Sequence, residues 1–183
     1  VITYEHHGAM HVRSLVTIDL AADDGRALAA YDEPDRVTRI ARSGDLLLAI
    51  EPAHGLRIID ASSPASPAIL GAWRADHYAH DVAARGEYAW VVTEHALVTL
   101  SIADPTAPSE VATTPLRRPR LGPASISLGK DFLLVGGDAG SGVDVFDLAD
   151  PASPRHAGAL PLAVGSHRAV IRDRLAFLPI NVS

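Results

Sequence analysis

GLRIIDASSPASPAILG, residues 55–71, joins an apolar run ending in Asp60 to a second short apolar run through a segment punctuated by Pro64 and Pro67. The aliphatic and β-branched residues Leu56 to Ile59 suit an extended strand. The prolines, which lack a backbone N–H, prevent that strand from continuing. The same arrangement returns further along the chain. Ala96 to Ser101 precedes Pro105 and Pro108, a shift of 41 residues, and Gly142 to Asp147 precedes Pro151 and Pro154, a further shift of 46. A fainter copy, Leu15 to Asp19, is followed by Asp23, Asp24 and Gly25 where the proline turn is expected.

A second signature alternates with the first. Gly44, Gly86 and Gly129 each sit between two apolar runs, as a tight hairpin requires, and Asp173 takes the same place in the last copy. Glycine adopts positive φ without a steric penalty, and Asp tolerates the left-handed region better than most other residues. One period then contains four short strands, at Ala79 to Arg85, Tyr88 to Thr93, Ala96 to Ile102 and Ser109 to Thr113. Four strands per roughly 40–45 residues make one blade of a β-propeller. The predicted fold is therefore all-β, a propeller of four-stranded antiparallel blades forming a single domain over residues 1–183. About four blades' worth of chain is present, with partial blades at both ends. Val1 to Glu5 reads as a second strand, and so does Leu175 to Ile180, which gives one strand too many for a closed four-bladed ring. The expectation is an open fragment of a propeller of six to eight blades, the remainder of which is missing.

Composition narrows the partners. A formal net charge of −6, from 22 acidic and 16 basic residues, lacks the basic excess that phosphate-backbone binding requires, so no nucleic acid is expected. Apolar runs such as Leu46 to Ile50 end within a strand's length, far short of the roughly 20 residues of a membrane-spanning helix. There is no Cys, which removes disulfide and thiolate chemistry. The glycine-rich segment 136–142 has no Lys-Ser or Lys-Thr pair for a phosphate-binding loop.

The stretch GLRIIDASSPASP resembles the LVIVD repeat, whose units read Gly-Leu-x-Ile-Val-Asp and then Pro-x-x-Pro. AHDVAARGEYAWVV, residues 79–92, is similar to the other half of that repeat. The chain departs from the pattern at Ser101, where Asp is expected, and at Asp23, where Pro is expected. The resemblance implies a propeller scaffold of the kind found in secreted or envelope-associated bacterial proteins, hence an extracellular or cell-envelope location, and it carries no common activity. Asp60 and Asp147 read as turn residues whose carboxylates accept from nearby backbone N–H groups.

Histidines concentrate on one face in this register. The loops from strand two to strand three hold Glu5, His6, His7 and His11, then Glu51 and His54, then Glu94 and His95. The connections between blades, which open on the same face, hold His77 and His80, then Arg117, Arg118 and Arg120, then His167. His80 and His167 occupy equivalent positions in two blades. Imidazole and carboxylate together are suitable ligands for zinc, copper, iron or manganese. The candidate ligands of a divalent transition metal are His80, His167, His54, His95, Glu51 and Glu94. His77 and the arginines at 117, 118 and 120 are the candidates for binding another ligand, the planar guanidinium groups being suited to an anion. Polar loops also collect such residues without any site. Two functional readings follow: a non-enzymatic scaffold that binds a protein, glycan or other ligand through this face, and a metal-dependent enzyme that uses the same face.

Overall fold

In the computed structural model, residues 13–18, 27–33, 37–120, 122–163, 165–166, 168–173 and 175–179 are described. β1 (Arg13–Ile18) and β2 (Ala27–Glu33) form an antiparallel pair. Three antiparallel four-stranded sheets follow, each laid down in chain order. The first contains β3 (Arg39–Ser43), β4 (Leu46–Glu51), β5 (Gly55–Asp60) and β6 (Ala68–Trp73). The second contains β7 (Ala79–Arg85), β8 (Tyr88–Thr93), β9 (Ala96–Ser101) and β10 (Ser109–Pro115). β11 (Ser125–Leu128), β12 (Phe132–Gly136), β13 (Val143–Asp147) and β14 (Arg155–Leu160) make the third, and β15 (Val170–Arg172) pairs with β16 (Leu175–Phe177). Among the described residues no helix is long and apolar enough to cross a membrane.

The sheets pack face to face as propeller blades do. One core, containing Leu48, Ile58, Val82, Val91 and Leu100, fills the space between the first and second blades. Another, containing Trp90, Leu97, Leu133 and Phe146, fills the space between the second and third. Middle strands are therefore covered on both faces, which explains why β8 and β9 are apolar along most of their length instead of alternating. The outermost strand β10 is mostly exposed. Near the inner strands, the buried carboxylate of Asp81 on β7 accepts from the Ile126 N–H of β11 at 2.9 Å. It also lies 4.0 Å from Arg39 of β3 and 3.9 Å from Arg168 just before β15. Four successive inner segments thus meet at one carboxylate.

The repeat signatures have local causes. Gly44 and Gly86 adopt φ of 58° and 60° in two-residue hairpins, and Asp173 does the same at 54°. Gly129 differs from this expectation, since its φ is not positive and its hairpin closes between Leu128 and Leu133 across a longer loop. Glycine is needed there for space, because a Cβ would stand 2.7 Å from the Ile171 side chain of β15. The proline turns are capped as the sequence implies. Asp60 Oδ1 accepts from Ser62 N–H at 2.8 Å, and Asp147 Oδ1 accepts from Ala149 N–H at 2.8 Å. In the middle blade, where Ser101 replaces the first Asp, Asp104 accepts instead from the Thr106 N–H and hydroxyl. These bonds hold the Asp60 and Asp104 carboxyls below their ordinary pKa. Each blade also carries an irregularity in the pairing of its third and fourth strands, which skips Leu70, Val111 and Ala157 at matching positions of the repeat.

Candidate functional site

The β8–β9 hairpin presents Glu94 and His95 at its tip, and the turn is held from two sides. Across it, the Thr93 hydroxyl donates to the Ala96 carbonyl and accepts from the Ala96 N–H, each at 3.2 Å. From outside, the connection between β10 and β11 supplies two backbone donors: Leu116 N–H to the His95 carbonyl at 2.9 Å and Arg120 N–H to the Glu94 carbonyl at 2.6 Å. The facing segment, between β6 and β7, carries His77 and Tyr78 and is tied to the first blade by Ala79 N–H donating to the Pro52 carbonyl at 2.9 Å. The His77 and His95 rings meet edge to face, 4.7 Å between centroids and 89° between planes. One ligand atom from each of His77, Glu94 and His95 lies within 4.8 Å of the other two.

Beside this group a cleft of about 450 Å³ is lined by Thr38, Arg39, Pro52, Tyr78, His80 and Glu94, among others. Tyr78 is 47% exposed and its ring leans on His80 with centroids 5.3 Å apart. His80 Nε2 is 3.1 Å from the Arg120 carbonyl. Burial is the main influence on this imidazole and lowers its pKa, against the opposing effects of the Arg120 carbonyl and of the Glu94, Asp138 and Asp81 carboxylates. In the neutral ring an Nε2–H donates to that carbonyl. At Asp81 burial works in the other direction and raises the carboxyl pKa, opposed by the N–H groups of Ile126 and Val82 and by Arg168 and Arg39.

The sequence candidates separate accordingly. Glu94 and His95 come together with His77, which the sequence assigns to a different ligand. His80 borders the cleft but is not one of the three grouped donors. Glu51 is buried and ion-paired with Arg57, so it is used within the fold. His54 lies exposed in the turn after β4 and is also outside the group. His167 lies outside the described residues, as do Glu5, His6, His7 and His11.

The arginines do not form one anion clamp. Arg117 and Arg118 are exposed, and Arg118 donates to the Gly140 carbonyl at 2.9 Å. Arg120 is buried, donating to Asp144 and to the Ser141 carbonyl, each at 2.7 Å, so its guanidinium secures the connection between blades and is not offered to an outside anion. Asp144 is shared with His156, 2.8 Å away on β14. Sequence reasoning missed Tyr78, Thr38 and Arg39 as cleft residues. For Tyr78 a signal existed, its place between His77 and His80. For Arg39, whose relevance comes from packing against the next blade, there was none.

Two family matches coincide with two blades. The LVIVD repeat model matches residues 40–74, which span β3 to β6, and residues 76–114, which span β7 to β10. These two blades are LVIVD repeats. Each repeat supplies one four-stranded sheet, and the third blade has the same strand order. No curated protein matches the chain significantly. Among solved structures, the computationally designed Ika4 protein aligns with a TM-score of 0.64 at 9% identity, over 81% of this chain and 87% of that one. The designed Ika8 protein aligns with a TM-score of 0.66 at 10% identity, over 86% of this chain and 47% of that one. A chain of an S. cerevisiae complex of Dbp5 with Nup159, Gle1, IP6 and ADP aligns with a TM-score of 0.54 at 11% identity, over 88% of this chain and 44% of that one. At these identities the likeness concerns the fold alone.

Proposed function

We propose that this LVIVD-repeat chain is a non-enzymatic scaffold that binds a glycan in the cleft between its inner strands and the His77–His80 segment. The observation that carries this reading is the cleft itself, about 450 Å³ and bordered by a half-exposed tyrosine ring beside Arg39, His80 and Glu94. That volume falls within the roughly 300–1,000 Å³ of small-ligand sites, where a few polar groups on an otherwise apolar lining fix orientation. An aromatic face that packs on the C–H side of a sugar ring, next to donors and acceptors for its hydroxyls, suits a polyhydroxylated ligand. An extracellular or cell-envelope location is part of the proposal. It rests on the repeat resemblance, and fractionation of the producing cell tests it.

Saturation-transfer NMR with a panel of neutral and acidic oligosaccharides, followed by calorimetric titration of the hits, tests the binding. The expected result is a saccharide whose affinity drops at least tenfold in Tyr78→Ala. Absence of any saccharide hit, or hits whose affinity Tyr78→Ala leaves unchanged, overturns the glycan reading. A protein ligand bound at the same cleft, with no saccharide hit, would likewise overturn it.

A further inference from the structure

We propose that His77, Glu94 and His95 form a binding site for a divalent transition metal ion, zinc being the best match. The proposal is independent of the glycan reading, because it rests on the three side chains at the edge of the cleft and not on the cleft's volume. Two imidazoles and one carboxylate are a donor set suited to zinc, and three protein ligands leave a tetrahedral ion one further position for water or a bound molecule. Calcium and magnesium, which prefer oxygen ligands throughout, are poorly served by it.

The distances are within reach of coordination. Bonds of about 2.0–2.2 Å place the ligand atoms of a tetrahedral ion roughly 3.3–3.6 Å apart. The three donors here already lie within 4.8 Å of one another, so side-chain rotation closes the gap without backbone movement. His77 and His95 are exposed and Glu94 is half-buried, so turning the rings disturbs no packed core.

The backbone beneath them is pre-set. Glu94 and His95 are adjacent on one short turn whose two carbonyls are both occupied by donors from the β10–β11 connection. His77 lies two residues before Ala79, whose N–H is fixed on the Pro52 carbonyl. A site whose backbone is ordered before the ion arrives loses less entropy on binding than one assembled from loose loops. Glu94 belongs both to this group and to the cleft lining, which places an ion held here beside the cleft.

The test uses full chain prepared without a histidine tag and stripped of metal by chelator. Zinc is titrated against a competing chromophoric chelator, and cobalt(II) is added separately as a spectroscopic probe. One equivalent of zinc per chain is expected, together with the intense visible bands of low-coordinate cobalt. His77→Ala, His95→Ala and Glu94→Gln should each weaken zinc by about tenfold or more, while His80→Asn keeps the wild-type affinity. Circular dichroism checks the fold of each variant, and His95→Asn replaces His95→Ala if the latter is unfolded. Failure of wild-type protein to take up one equivalent overturns the site. So does stoichiometric zinc that survives in the His77→Ala/His95→Ala double variant. A saccharide titration of the same variants without metal separates the two proposals: loss of zinc with saccharide binding intact in His77→Ala removes nothing from the glycan reading, and the converse holds for Tyr78→Ala.

Discussion

Two neighbouring blades each bring a glutamate and a histidine to the loop between their second and third strands, yet the two glutamates have different roles. Counted back from β5 and β9, His54 matches His95 and Ala53 matches Glu94, whereas Glu51, the last residue of β4, is the counterpart of Thr93, the last residue of β8. Glu51 shares the buried position that Thr93 fills with a neutral hydroxyl bonded to the Ala96 backbone. It is buried there and requires a cation, supplied by Arg57 from β5, the counterpart of buried Val98. Glu94 falls beyond the end of β8, in the turn, where no packing claims it and its carboxylate stands near two imidazoles. A position within the pleat decides whether a carboxylate becomes structure or remains available for binding.

The largest effects should come from breaking the buried ion pairs. Arg57→Ala leaves the Glu51 carboxylate buried without its partner, and chemical denaturation should show a loss of about 3 kcal/mol. The Glu51→Thr/Arg57→Val double variant, which copies the Thr93 and Val98 of the next blade, should recover most of that loss, because a buried ion pair is often replaceable by well-packed uncharged residues. A double variant as unstable as Arg57→Ala would contradict the equivalence of the two blades. Asp144→Ala belongs to the same class. It strands the fully buried Arg120 guanidinium, and a loss of about 3–5 kcal/mol is expected in thermal or denaturant unfolding.

A smaller, pH-dependent effect should arise at His80. Its folded-state pKa is depressed by burial, so the folded protein binds that proton less readily than the unfolded chain. The resulting stability is complete above the ordinary imidazole value of about 6.5 and is lost as pH falls through the depressed folded value. Denaturation midpoints measured across this range should fall with decreasing pH, and less steeply in His80→Asn. Parallel slopes would show that His80 titrates alike in both states. The smallest effect on stability belongs to Glu94→Gln, expected within about 0.5 kcal/mol of wild type as for other replacements outside a packed core. A loss comparable to that of Arg57→Ala would mean that Glu94 is structural after all.

Strand positions were legible in the sequence wherever the repeat kept its phase. The predicted Ala79–Arg85 and Tyr88–Thr93 match β7 and β8 at both ends, because the Gly86 turn between them fixes their phase. The role of Gly129 was not legible, since the Ile171 methyl group that crowds it comes from a strand more than forty residues away. Arg117, Arg118 and Arg120 look alike in a row, and only Asp144, a partner 24 residues from Arg120, distinguishes the buried one. For the candidate site, the shared face was readable from the register of the loops. The association of His77 with Glu94 and His95 was not, because it depends on how the β6–β7 connection lies against a hairpin tip.

The proline turns carry two places for a capping carboxylate, three residues apart. The first blade uses Asp60 at one place, the second uses Asp104 at the other, and the third fills both, with Asp147 bonded to Ala149 and Asp150 bonded to Ala152. Either acceptor suffices to cap the turn, so a blade that has both can lose one to mutation and keep its shape. Such fault tolerance lets the copies drift apart in sequence while the chain still bends at the same point, and it leaves the opposite face of each blade free to change its side chains independently of its neighbours.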